Sequence, residues 1–197
     1  MRFPARRFAI AVAVVALSSS AAAQGTPAGP PKGATAATAP LVLTLLKDVN
    51  GVGDKLVALA KAIPAEKYDW RPAAGVRSVR EVFLHVASDN YLLPALAGTA
   101  APAATGISVR DFQSVDRFEK RPLVRDSVIA ELERSFTHLY DTMGKSGPAD
   151  LSRELSLFGQ KTALGDLWVT TTTHLHEHLG QQIAYARSNG VKPPWSR

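Results

Sequence analysis

Between residues 41 and 63 apolar side chains return every three or four positions: Leu41, Leu45, Val49, Val52, Leu56, Leu59 and Ile63. That period draws one apolar face along an amphipathic helix, and it predicts a helix over 41–62 that Pro64 ends. Gly51 and Gly53 weaken its middle without breaking the pattern. Residues 64–77 have no helical period; Tyr68, Trp70, Pro72 and Gly75 suit an ordered loop pinned by its aromatics. Ser78 and Glu81 then stand three apart ahead of an apolar run. This is the spacing of a capping box, in which hydroxyl and carboxylate satisfy free amides at a helix start. The second predicted helix spans 79–96 and turns Val82, His85, Val86, Asp89, Leu93 and Leu96 inward. Pro94 is expected to kink it or end it early.

Gly98–Gly106 reads as a loop, and 108–118 as undecided between loop and a short helical turn. The third predicted helix covers 123–143, with Val128, Leu132, Ser135, Leu139 and Thr142 on one face and Gly144, Gly147 and Pro148 beyond it. Residues 151–160 alternate weakly and read as extended linker. The fourth predicted helix runs over 163–189, with Thr162 expected to cap it and Gly190 to close it. Four long helices, few β-branched runs and no hairpin signal predict an all-α fold, a four-helix bundle. Its expected core includes Leu45, Val52, Leu56, Val82, Leu132, Leu139, Leu167 and Ile183.

The seam of the fourth helix is Leu164, Leu167, Thr171, His174, His178, Gln181 and Tyr185. Its second half is polar where a passive bundle would place leucine, and a neighbouring stripe of Trp168, Leu175, Leu179 and Ile183 serves burial instead. His174 and His178, four apart, lie about 40° from each other on the helix surface, close enough to grip one metal ion. His176 points about 200° away and cannot share it. His85 can meet the pair if the second and fourth helices are neighbours. Three imidazoles leave a coordination position open, and Zn²⁺, Ni²⁺ or Fe²⁺ suits three nitrogens. Asp89, one turn beyond His85, is expected to hold the second N–H of a ligand histidine or to become a ligand itself. Gln181 could orient a bound water or another imidazole. Taken singly these residues have ordinary roles: His85 bonded to a carbonyl, Asp89 paired with an arginine, Gln181 linking helices. Taken together, three histidines and an aspartate on two inward stripes are costly to bury without purpose. Glu177 is expected to face solvent or a partner, and His138 to be structural or exposed.

Composition changes the picture mainly at the N-terminus. Arg2, Arg6 and Arg7 precede the uncharged run Phe8–Leu17, and Ala21–Ala23 gives a small-residue cleavage pattern. Residues 1–23 are expected to be a signal peptide removed before Gln24, with an uncleaved anchor as the alternative. Ten apolar residues fall short of the ~20 that cross a bilayer core of ~30 Å, so no stable membrane insertion is expected after cleavage. The mature chain would be exported, periplasmic or secreted. Residues 24–40, rich in Ala, Thr, Pro and Gly, read as a flexible leader, and 41–197 as one bundle domain. The chain has no cysteine, which excludes disulfides, thiolate ligands, thiol catalysis and a cysteine-borne lipid anchor. Its net charge of +6 falls to +3 once the three leading arginines are removed, and no basic stripe interleaved with aromatics supports nucleic-acid binding.

The order Tyr68-Asp-Trp70-Arg-Pro72, Gly75-Val-Arg-Ser78-Val79, His85-Val-Ala, His174…His178-Leu-Gly180-Gln181, Tyr185 and Asn189-Gly190-Val-Lys-Pro193-Pro194 resembles the DinB/YfiT-like superfamily of metal-binding four-helix bundles, over about 41–196. These are unrelated to the similarly named DNA polymerases. The resemblance implies a metal-binding triad that maps onto His85, His174 and His178, and it implies frequent homodimers. It also implies relatives that are thiol-dependent S-transferases or an isomerase, in which the metal activates a low-molecular-weight thiol. Two departures set this chain apart. Leu179 stands where the family commonly has a basic residue, and an exported chain would lie outside the compartment rich in those thiols. Two functions therefore stand side by side. One is a metal-dependent enzyme, hydrolase or transferase in type, acting on a small molecule that the residues do not specify. The alternative is a non-catalytic metal-binding protein with a structural, sensing or storage role.

Overall fold

The structure, a computed structural model, describes residues 29–196; the expected signal peptide lies outside the described residues. Five helices carry the fold: α1 (Pro40–Ala62), α2 (Val79–Leu96), α3 (Gln113–Glu119), α4 (Arg125–Met143) and α5 (Leu164–Ser188). The four long ones are those the apolar periods predict, displaced at their ends by no more than two residues. They form an all-α bundle in which α2 packs on α4, α1 on α5, and α2 also meets α5. Helix α2 is the central element: Val82, Phe83, Leu84, Val86 and Ala87 are all fully buried, so its contacts run nearly all round. Pro94 sits inside the last turn of α2 and the helix continues to Leu96. Among the described residues no helix is long and apolar enough to cross a membrane.

The capping box at the start of α2 is present in both directions. Glu81 N donates to Ser78 Oγ at 3.2 Å and Ser78 N donates to Glu81 Oε2 at 2.6 Å. The aromatic loop before it is held as expected. Tyr68 is buried and its hydroxyl donates to Ala60 O at 2.7 Å, while Trp70 meets Tyr185 edge-on at 5.3 Å. Backbone bonds from Val79 N to Trp70 O and from Arg80 N to Tyr68 O then tie the loop to the first turn of α2.

The structure corrects the sequence reading at five places. On α1 the buried residues at the N-terminal end are Val42 and Leu46, while Leu41 is 45% exposed. The run Leu41–Leu46 is apolar at every position but Thr44, so hydrophobicity alone could not choose between faces one residue apart. From Gly29 onward the expected flexible leader is a strap against α1 and α4. Thr35 and Thr38 hydroxyls donate to Gly144 O, Ala39 is fully buried, and its N–H donates to Ser146 O. Gly33, with φ +85°, passes so near Tyr140 that an added Cβ would lie 2.2 Å from its carbonyl oxygen. The strap packs by backbone and small side chains, which a search for large apolar residues misses. Third, the undecided stretch divides: 108–112 is loop, and Gln113–Glu119 is the short helix α3.

Fourth, the expected linker is an antiparallel hairpin of β1 (Glu154–Leu157) and β2 (Gln160–Ala163), with Leu157 opposite Gln160. Its two-residue turn, Phe158 (φ 49°) and Gly159 (φ 82°), has positive φ at both positions, the geometry that matches strand twist. Phe-Gly is a weak signal beside Asn-Gly, because a bulky residue rarely takes that region. Fifth, α5 starts at Ala163 with no side-chain cap; backbone acceptors Arg153 O and Leu151 O serve Leu164 N and Gly165 N in place of the Thr162 hydroxyl.

Candidate metal centre

His85, His174 and His178 come together. One ring nitrogen of each lies within 4.8 Å of those of the other two. The rings stand edge-on, with centroids 5.3 Å apart for His85–His174, 4.5 Å for His85–His178 and 4.4 Å for His174–His178. The helical spacing explains the pair on α5. The packing of α2 against α5, with His85 on the buried side of α2, explains the third. Ligands at ~2.0–2.1 Å from one zinc ion are separated by ~3–4 Å, so a small closure of the rings completes such a site.

The hydrogen bonds sort the ring nitrogens. His85 Nδ1 lies 2.7 Å from Glu119 Oε1. A carboxylate only accepts, so Nδ1 carries a proton. His178 Nδ1 donates to Gln181 Oε1 at 2.9 Å, and the Gln181 amide donates onward to the Tyr185 hydroxyl at 3.1 Å. His178 Nε2 is buried and has no partner. Burial lowers the His178 pKa to about 4, with the Gln181 bond opposing it, so this ring is neutral at ordinary pH and its bare nitrogen is an acceptor. A buried acceptor without a donor, beside two more imidazoles, fits a cation and little else.

His174 is the exception. Its Nε2 donates to Asp89 Oδ2 at 2.7 Å. That bond raises its pKa, against the opposing effect of burial. The same Asp89 oxygen is 3.3 Å from His85 Nε2. Asp89 thus faces Nε2 atoms, whereas a carboxylate that merely orients a ligand would be expected behind the ring at Nδ1. It stands where a competing proton or a further ligand would stand. Gln181, by contrast, meets its imidazole from behind, at His178 Nδ1.

The sequence reading missed Glu119, whose side chain is only 7% exposed and serves His85. It sits 34 residues from His85, just past the undecided stretch 108–118, so no helical spacing links the two. His176 is exposed and pairs with Asp48 at 2.8 Å, away from the cluster, as its angle on the helix requires. Glu177 is 76% exposed. His138 is half-buried on α4 beside Tyr91 and takes no part.

An all-α bundle carrying three inward histidines on two neighbouring helices defines a class of metal-binding helical proteins. The sequence profile of the DinB superfamily matches residues 50–182, a span that contains all three histidines, and the chain belongs to that superfamily. The fold is that of a DinB-like protein from Bacillus cereus, with a TM-score of 0.62 and 14% identity over 78% of this chain and 95% of that one. It is also that of a DinB-like protein from Bacillus subtilis, with a TM-score of 0.58 and 16% identity over 76% and 93%. No curated protein sequence matches the chain.

Proposed function

We propose that the chain holds one divalent metal ion through His85, His174 and His178 and acts as a metal-dependent enzyme, hydrolase or transferase in type, on a small molecule. The observation that carries this reading is the buried, partnerless Nε2 of His178 facing two other imidazoles. A buried polar atom left unsatisfied costs about 1–3 kcal/mol, and a cation among the rings would remove that cost. Three imidazole nitrogens with a carboxylate beside them suit Zn²⁺, Ni²⁺ or Fe²⁺. A metal there would supply a Lewis acid that activates a nucleophile or polarises a substrate oxygen. The chain's own residues have simpler tasks. Glu119 and Gln181 keep the Nδ1 protons of His85 and His178, so both rings offer Nε2. Asp89 holds the His174 proton that a metal must displace. His174 is 28% exposed, so solvent reaches the centre.

The non-catalytic reading has its own support in Asp89. Used as a fourth ligand, its carboxylate would fill the position that a substrate needs and make the site a closed, structural one. Two further proposals concern the cell. Residues 1–23 are removed and the mature chain, beginning at Gln24, works outside the cytoplasm; N-terminal sequencing of envelope protein would then read Gln24 first. Two copies pair as a homodimer, which sedimentation would show as twice the chain mass.

Metal content at pH 7.5 tests the centre. Wild type should hold one equivalent after dialysis, His85→Ala and His178→Ala none, and His176→Ala one. Equal metal in wild type and His178→Ala would sink the proposal. Product formation from a panel of esters, amides and thiol acceptors by the loaded protein, absent in His178→Ala, separates the enzyme from the non-catalytic protein.

A further inference from the structure

Behind the imidazoles the hydrogen bonds do not end at Glu119 and Gln181. Arg77 Nε donates to Glu119 Oε2 at 2.7 Å and its Nη2 donates to Oε1 at 3.3 Å, so one guanidinium spans both oxygens of the carboxylate that receives His85. On the other side, Gln181 donates to the Tyr185 hydroxyl at 3.1 Å, and that hydroxyl donates to the backbone carbonyl of Arg77 at 3.3 Å. Both chains of bonds therefore finish on one residue. The path runs from His85 through Glu119 to the Arg77 side chain, and from the Arg77 carbonyl through Tyr185 and Gln181 to His178.

We infer that Arg77 is a positioning residue that holds a ring proton on Nδ1 of both His85 and His178. This rests on the metal-binding reading for its purpose, but the geometry concerns the protein alone. Arg77 precedes Ser78, the cap of α2, and the capping box fixes the backbone there. Its carbonyl direction is therefore set by a local helix signal, and its side chain is left to reach α3. A planar fork is the group that can hold both oxygens of a carboxylate while one of them also accepts a ring N–H; a lysine ammonium is a point charge without that geometry. Glu119 is 7% exposed and Arg77 is 45% exposed, so the buried partner needs the clamp and the clamp itself is reached from outside. Arg77, Glu119 and Gln181 share the wall of a cavity of about 620 Å³ with Arg71 and Lys120.

The test reads ring protonation in metal-free, nitrogen-15-labelled protein by long-range correlation of imidazole nitrogens, with circular dichroism as the check on folding. Wild type should show His85 and His178 with the proton on Nδ1. Glu119→Ala should return His85 toward the Nε2–H form that free imidazole side chains prefer in water. Arg77→Ala should move the His85 signals the same way, and the double variant should match Glu119→Ala with no added change. Tyr185→Phe should move His178 and leave His85 in place. Arg77→Lys should behave like Arg77→Ala, and it carries the test if the alanine variant unfolds. His85 signals unchanged in Arg77→Lys or Arg77→Ala, or shifts that add to those of Glu119→Ala, would overturn the inference. Zinc titration follows on the same proteins, with affinity about 10–100-fold weaker in Glu119→Ala and weakened in Arg77→Ala. Failure of wild type to bind zinc would end the metal reading and leave the ring-proton result to stand or fall alone.

Discussion

The two halves of α5 follow one seam and do opposite things. In the first half Leu164, Leu167, Trp168 and Thr171 are 3% exposed or less. Their polar atoms are satisfied close by: Thr171 and Thr172 hydroxyls donate to Leu167 O and Trp168 O of the same helix, and the Trp168 indole donates to Ser146. In the second half His174, His178 and Gln181 are half-buried on the same 3/4 spacing. Their surroundings come from elsewhere: Asp89 from α2, His85 with Glu119 of α3 behind it, and the Arg77 carbonyl from the loop. A helix can build a packing surface from its own period. It can build a ligand set only with groups that distant segments deliver.

The difference predicts that stability and metal binding separate along this one helix. Leu167 is fully buried, so Leu167→Ala should cost about 2–5 kcal/mol, read as a lower urea midpoint of the metal-free protein. Its one equivalent of metal at pH 7.5 should remain, because no hydrogen bond to the histidines passes through that residue. Loss of metal from a folded Leu167→Ala protein would show the halves to be one unit, and the comparison would fail.

Asp89 sharpens the contrast from the other side. Asp89→Ala should weaken zinc affinity at least ~10–100-fold, the range for a partner of a ligand histidine. A larger loss would mark the carboxylate as a ligand, as its place against two Nε2 atoms suggests. In the metal-free variant the bond that raises the His174 pKa is gone and burial remains, so His174 should titrate at lower pH than in wild type. An unchanged His174 titration would show that Asp89 is not the group that holds its proton.

The same division explains what the sequence could show. Helices α1, α2, α4 and α5 announce themselves because each repeats its apolar residues at its own period, and the capping box at Ser78 and the stop at Gly190 (φ 74°) are local signals. His174 and His178 were legible for the same reason. Glu119 was not: its link to His85 exists only once α3 folds beside α2. The strap was missed because Gly33 and Gly144 approach by backbone, with no side chain to mark it; a Cβ at Gly144 would lie 1.7 Å from Gly33 O. For Asp89 the sequence left two roles open, holding a ring N–H or ligating, since periodicity fixes the face of a helix but not the rotamer that aims a carboxylate.

The smallest expected effect is the dependence of the metal-free protein on pH, where two histidines of one helix act with opposite signs. In the unfolded chain both titrate near ~6.5. Folded His178 titrates at about 4 because burial opposes its charge. Between those values the unfolded chain binds more protons than the folded one, so stability rises with pH from about 4 to ~6.5 and is level above. Folded His174 is raised by Asp89, so its contribution is complete below ~6.5 and is lost as pH climbs through the raised value. The two windows meet, and these groups together place a stability maximum near pH ~6.5. His178 is only partly buried, so its limb is worth about 1 kcal/mol after allowance for solvent screening. Urea midpoints of chelator-treated protein at several pH values would measure it, each limb taken as the difference from a variant. His178→Ala should flatten the acid limb, and Asp89→Asn the alkaline limb, while the loss of its charge also lowers the His178 pKa a little further. With excess zinc the alkaline decline should turn into a rise, because the ion takes the nitrogens as protons leave them and binds only the folded chain. An alkaline limb untouched by zinc would mean that His174 keeps its proton for Asp89 and takes no part in holding metal.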